Sequence, residues 1–343
     1  MNKPLKLCSL LAAGVLTLTV AACGSDDDSG SGESVTVQLD YQVRGNHAMF
    51  YVADEKGYFE DEGINVESIT TGSGSPDTLR LVGKGEADFG FADLPSLATA
   101  RSQNVPVTAL AAVNQATPLG MCAKDEEHSL DSPEDLKGLT VGIHPAGSTF
   151  YFYKALLAAN GIDRSEMDEV TVTPPYENYL LQDRVDTVIC YIDAEVPELE
   201  DKAGGEGSLS ILSGAENGYD VYGSGLFTNQ ELADKDPELV QHFVNAYMKA
   251  FEYVLDNPED AAEIIADSSP ELATKTETFE RQLEADIEST FTSDYTEKNG
   301  LGAMSDKEWK STVDTLVEQG VIEGDPPPMD SLRSPQFIKK YHE

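Results

Sequence analysis

Basic residues are scarce in this chain. Twenty-three Lys and Arg stand against 62 Asp and Glu in 343 residues, a formal charge of −39. Such a surface repels phosphate backbones and anionic membrane faces, which leaves nucleic acid out as a partner. The same surplus of acid fits a protein kept soluble in high salt. There are 5 histidines, one tryptophan and four cysteines, with no CxxC or Cys/His spacing that would hold zinc. No Ser/His/Asp, HExxH or P-loop spacing occurs either. Beyond the first 23 residues no apolar run is long enough to cross a bilayer.

Lys3 and Lys6 precede an apolar run over residues 7–20, and Val20-Ala21-Ala22-Cys23 sets small residues before a cysteine. Residues 1–22 therefore read as an export signal. The cysteine resembles that of a bacterial lipobox, which implies cleavage and lipid attachment at Cys23; the alternative is a plain secretory signal with an incidental cysteine. Losing the leader and its two lysines takes the charge from −39 to −41. Residues 23–34 contain nothing that packs and read as a flexible tether. Cys122 and Cys190 each end an apolar run, which allows them neighbouring strands in one lobe. They form either one disulfide or, the reading preferred here, two buried free thiols.

Apolar spacing then predicts strands at 34–39, 65–69, 87–92 and 105–113, with helices at 47–57, 77–84 and 95–102 between them. That order is the order of a largely parallel sheet with helices on both faces. Gly57 ends the first helix and leaves Tyr58 and Phe59 in the turn after it. Gly72-Ser73-Gly74-Ser75-Pro76-Asp77 is a small-residue turn that opens the next helix, with Pro76 suited to its first turn. The order recurs downstream: a short helix at 132–138, a strand at 139–143, a small-residue turn at 145–149, a helix at 150–159, and strands at 169–172 and 185–191. Two such layers imply two lobes with a cleft between them. Strand-like runs at 209–212 and 220–227 follow, then helices at 237–255, 258–266, 276–290 and 306–319. These last form a packing layer, with Trp309 in its core.

Backbone N–H groups at helix N-termini hold anionic or carbonyl oxygens. The turns Gly72, Ser73, Gly74, Ser75 and Gly147, Ser148, Thr149 supply one such terminus per lobe and are candidate ligand contacts. Tyr41, Asn46 and His47 follow the first strand, where they are able to stack on a planar ring and bond its edge. Asp93, after the third strand, is a second acceptor there or an N-cap. Arg44 is the one basic residue near the first turn and reads as facing water.

The segments NHAMFYVADEKGYFEDEGINV, GSGSPDTLRLVGKGEADFGFADLPSLATAR, PVTALAAV, SPEDLKGLTVGIHPAGST and the run 309–320 carry a resemblance that covers residues 35–338. In their order and spacing the chain resembles the extracytoplasmic solute-binding proteins of ABC importers in the thiamine-pyrimidine, sulfonate and nitrate group, the NMT1/THI5-like and SsuA-like proteins. The resemblance implies a type II periplasmic-binding-protein fold: two α/β lobes with two crossover segments and a C-terminal helical layer. It places lobe I at 35–120 and 225–343 and lobe II at 121–224.

It further implies a monomeric lipoprotein on the outer face of the cell membrane, partnered by a permease and an ATPase, with no cofactor. Tyr191-Ile192-Asp193-Ala194-Glu195 is similar to the Tyr-x-Asn-x-Glu pattern of the pyrimidine binders, with Asp193 in place of Asn, so Tyr191 and Glu195 join the candidate contacts. Tyr41 stands where relatives often have Trp. The ligand so implied is a planar nitrogen heterocycle, with a sulfonate, taurine or nitrate as the alternative. Yeast pyrimidine synthases share the fold but carry a cysteine-rich iron-binding run that is absent here, which favours a binding protein over an enzyme. A surface adhesin would fit the lipid anchor and leave the duplicated turns unexplained.

Overall fold

The computed structural model describes residues 32–145, 148–173 and 175–343, with only the backbone of Ser148. The leader, Cys23, most of the tether and Gly147 lie outside the described residues. The first sheet begins with β1 (Glu33–Gln38), β2 (Ile64–Thr70), β3 (Phe89–Asp93) and β4 (Val107–Ala112). Helices α1 (Ala48–Glu55), α2 (Ser75–Gly83) and α3 (Leu94–Ser102) connect them. β1 pairs in parallel with both β2 and β3. Gly57 takes a left-handed φ of 71°, which only glycine adopts freely, and Tyr58 and Phe59 then start a short helix, Tyr58–Asp61, rather than lying in a turn.

The chain next builds a second sheet from β5 (Leu119–Lys124), β6 (Thr140–Ile143), β7 (Asp168–Thr171), β8 (Thr187–Tyr191) and β9 (Leu209–Ser213). Their spatial order is β7-β6-β8-β5-β9. Helices α4 (Ser148–Ala159) and α5 (Val196–Ala203) belong to this part of the chain. The chain returns as β10 (Ser224–Asn229), which enters the first sheet between β3 and β4 and runs antiparallel to both. The expected largely parallel sheet is thus a mixed one, because a strand from far downstream takes the place beside β3. The strand expected at 220–227 starts only at Ser224. Before it the backbone is bonded to the outgoing crossover: Gly223 N–H donates to Asn114 O at 3.0 Å, and Thr117 N–H to Val221 O at 2.9 Å. The two crossovers lie side by side.

Cys122 and Cys190 form a disulfide, their Cα atoms 6.0 Å apart. This corrects the reading as free thiols. In the antiparallel pairing of β5 with β8, Gly120 faces Cys190 and Cys122 faces Val188, so the cysteines are diagonal neighbours on one face. That register is invisible to a local pattern.

Helices α6 (Pro237–Asp256), α7 (Pro258–Asp267), α8 (Thr276–Ser289) and α9 (Asp306–Glu318) complete the body. The i, i+3, i+4 stripe of α6 (Leu239, Val240, Phe243, Ala246, Tyr247, Ala250, Phe251 and Val254) is buried throughout. Phe243 stacks on Phe89 with ring centroids 3.7 Å apart, and burying such a ring contributes about 1.5–3 kcal/mol. Trp309 is buried beside Tyr222. Helix α8 packs on α7 and on the Gly45–His47 turn of the first lobe, and also reaches α5 of the second.

Candidate functional site

Beyond β1 the chain crosses the carboxyl edge of the first sheet, where α/β proteins gather their ligand groups. Asp40 is 3 % exposed and takes Arg44 Nη2 at 2.8 Å and His47 Nε2 at 3.0 Å. Burial alone would raise this carboxyl, but Arg44 and His47 outweigh it and hold it at about 2. Burial likewise opposes the Arg44 charge, and Asp40 more than restores it. For His47 burial dominates and keeps the ring neutral. Its Nδ1 accepts from the Arg44 N–H at 3.2 Å, so the ring proton sits on Nε2 and is donated to Asp40.

The small-residue turn is laced to the same segment. A Cβ on Gly72 would stand 2.3 Å from Leu39 O and 2.5 Å from Asp40 O, so only glycine fits. Gly74 N–H donates to Asp40 O at 2.7 Å, and Thr78 Oγ1 to Leu39 O at 2.8 Å. Ser75 Oγ accepts from Asp93 N–H at 3.0 Å. The Asp93 carboxylate accepts from Ser96 N–H at 3.0 Å and Ser96 Oγ at 2.7 Å, which makes it the N-cap of α3. Burial raises its carboxyl to about 6.

The facing wall comes from the second lobe. Tyr191 ends β8, and the Arg44 guanidinium carbon lies 5.0 Å from its ring centroid. Glu195 Oε2 accepts from Tyr191 N–H at 2.9 Å. Burial raises this carboxyl to about 7, against the pull of that bond and of Arg44. Tyr176 and His144 pack ring against ring, with centroids 5.7 Å apart. On the rim Arg80 Nη2 donates to Asp77 Oδ1 at 2.7 Å.

The walls enclose a cavity of about 370 Å³ lined by Asp40, Tyr41, Arg44, Ser73, Gly74, Ser75, Pro76, Asp77, Arg80, His144, Thr149, Tyr176, Tyr191 and Glu195. Seven of the residues singled out from the sequence are therefore brought together: Tyr41, Ser73, Gly74, Ser75, Thr149, Tyr191 and Glu195. Asn46, His47, Gly72 and Asp93 are not among the lining residues; the first two and Asp93 are buried behind them. Gly147 and the Ser148 side chain lie outside what is described. Arg44 does not face water: it is 7 % exposed and forms part of the wall. Sequence reasoning passed over Asp40, His144, Tyr176 and the Asp77–Arg80 rim pair. Tyr176 had a usable signal, an aromatic residue just past the carboxyl end of β7. Neither Arg44 nor Arg80 lacks a carboxylate partner.

A family model described as NMT1/THI5 like matches residues 44–261. The chain belongs to that family. Among relatives of this NMT1/THI5-like chain is the formylaminopyrimidine-binding protein of Halalkalibacterium halodurans, 28% identical over 78% of this chain and 80% of that one. The riboflavin-binding protein RibY of Chloroflexus aurantiacus is 26% identical over 84% and 82%. The 4-amino-5-hydroxymethyl-2-methylpyrimidine phosphate synthase of Legionella pneumophila is 28% identical over 70% and 75%. The structure is also similar to the periplasmic aliphatic sulphonate binding protein SsuA of Escherichia coli, with a TM-score of 0.65 at 14% identity over 89% of this chain and 93% of that one. At that identity the likeness speaks to the fold, which is the periplasmic-binding-protein fold with two α/β lobes.

Proposed function

We propose that this NMT1/THI5-like chain is the extracytoplasmic binding subunit of an ABC importer, and that it captures a small planar nitrogen heterocycle of the aminopyrimidine type. The observation that carries this reading is Glu195. It sets a carboxyl in the wall of a tyrosine-lined cavity whose buried cation, Arg44, is already matched by Asp40. A ring stacked on Tyr41 or Tyr176 would offer its exocyclic amino hydrogens to that carboxyl. A sulfonate or nitrate would meet the Glu195 carboxyl and find no uncommitted Lys or Arg, since both lining arginines have carboxylate partners, which leaves only the helix N-termini to hold it. The name of the H. halodurans relative supports the same ligand class.

The L. pneumophila relative bears an enzyme's name. A binding role is favoured over synthesis because both cysteines among the described residues are held in a disulfide and the sequence has no cysteine-rich run. In the proposed cycle the ligand docks between the lobes, the lobes hinge about the paired crossovers, and a permease reads the closed form. Lipid on Cys23 would tether the protein to the outer membrane face. Palmitate labelling that disappears in Cys23→Ser checks that part.

The ligand class is tested by thermal shift and calorimetry with aminopyrimidines, thiamine, riboflavin, taurine, alkanesulfonates and nitrate. A ligand at a hundredfold its Kd adds about 2.7 kcal/mol of stability. Glu195→Ala is expected to weaken aminopyrimidine binding about tenfold or more, while the melting temperature of the free protein holds or rises. Stabilisation by a sulfonate or nitrate alone would overturn the ligand class. Equal affinity in the variant would overturn Glu195 as a contact.

A further inference from the structure

The segment that carries Glu195 is held from behind by one face of α8. Gln282 accepts the Gly45 N–H on Oε1 at 2.8 Å and donates through Nε2 to the Ala194 carbonyl, so a single side chain ties the turn after β1 to the segment after β8. One helical turn further on, Asp286 accepts from Asn114 Nδ2 at 2.6 Å and from Thr290 Oγ1 at 2.7 Å. The Gln282 bond to Ala194 O brings this face of α8 against the segment after β8, where the buried carboxyl of the adjacent residue, Asp193, is the charged neighbour of Asp286. The two carboxyls are 2 % and 1 % exposed for Asp193 and Asp286. Neither Asp193 oxygen has a donor in good hydrogen-bonding geometry, although the Asp193 and Ala194 N–H groups lie close enough to favour its charge weakly. The charged groups that face the pair are Arg44, which is committed to Asp40, and Glu195 on Asp193's own segment.

Two carboxylates buried in contact cannot both be ionised without a counter-charge; a proton between them turns repulsion into a hydrogen bond. Burial, with the charge of Asp193 behind it, drives the Asp286 carboxyl far above its ordinary range, and burial raises Asp193 as well. We propose that Asp193 and Asp286 share one proton across the lobe junction, and that this proton positions the Glu195 segment so that ligand is retained while the proton is held. Neither residue lines the cavity, so both are positioning residues. The second half of the proposal rests on Glu195 being a ligand contact; the first half does not.

The sign follows from linkage. The folded, closed form holds a proton that the unfolded chain has already given up, so stability is present at acid pH and falls as pH rises past the ordinary carboxylate range. Asp193→Asn supplies an N–H of nearly the same shape and makes the proton unnecessary. Unfolding of the ligand-free wild type and variant is followed from about pH 5 to about pH 9. The variant's advantage should grow with pH, and its infrared spectrum at neutral pH should lose part of the protonated-carboxyl band. Asp286→Asn, with Asp193 as the acceptor, serves if the first variant fails to fold.

Calorimetry with an aminopyrimidine should show wild-type affinity falling relative to the variant by about tenfold per pH unit above the pair's titration. Parallel stability profiles would overturn the shared proton. So would a recovery by calcium ions at high pH and fixed ionic strength that is seen in the wild type and not in the variant, which would put a cation between the carboxyls. Diverging stability with parallel affinity would overturn the link to ligand retention. If no aminopyrimidine bound either protein, the proposed ligand class would fall while the stability comparison still decided the proton.

Discussion

Arg44 is charged, almost wholly buried and part of the cavity wall, and it is tolerated there because Asp40 lies 2.8 Å away. Removing one partner of a buried pair strands the other, at a cost of about 3–5 kcal/mol. Asp40→Asn is expected to destabilise the protein by that order. The pH dependence has a definite sign. The folded Asp40 carboxyl sits at about 2, below its ordinary 3.8, so its contribution is complete above the ordinary value and is lost as pH falls toward 2. About 2 kcal/mol is involved. Acid unfolding followed by circular dichroism should show this loss in the wild type and not in the variant. Asp40 was hard to see in the sequence because it is one acid among 62 Asp and Glu. His47 drew attention by its place after the first strand, yet it supports Asp40 from behind, and depth below a surface leaves no mark on a single sequence.

Among the elements, what lies within about ten residues was legible. The stripe on α6, the glycine that ends α1 and the small-residue turn before α2 all follow from local spacing and backbone freedom. Pairings between distant segments were not. The register that joins Cys122 to Cys190 and the entry of β10 between β3 and β4 depend on partners that no local window contains. Much of the cavity was readable for the same reason, since Tyr41, Ser73, Gly74, Ser75, Tyr191 and Glu195 sit where strands end. Tyr176 carried the same strand-end signal, whereas His144 escaped because nothing local says that its loop faces the other lobe. The disulfide closes a loop across a sequence separation of 68, which limits the unfolded chain by about 4 kcal/mol in the entropic account. Replacing both cysteines with serine should lower stability by that order and abolish the effect of a reductant on the denaturant midpoint.

For the whole molecule, charge sets the solution behaviour. If every Lys and Arg were paired, 39 of the acids would remain unmatched. Mutual repulsion among them opposes the compact state, whereas the exposed ion pairs contribute little. Salt shortens the range of that repulsion from about 10 Å at 0.1 M to about 3 Å at 1 M. The melting temperature is therefore expected to climb with added sodium chloride; a flat or falling response would show that the paired charges dominate.

The insertion of β10 also bears on the sequence of events as the chain is made. A polypeptide that emerges from its N-terminus lays down β1 to β4 with a gap between β3 and the edge strand β4, to be filled by Ser224–Asn229. The second sheet draws on one continuous stretch, from β5 to β9. It can complete itself while the earlier sheet still waits, since closure over a long loop comes late. The half of the protein that is synthesised first is thus the half that matures last.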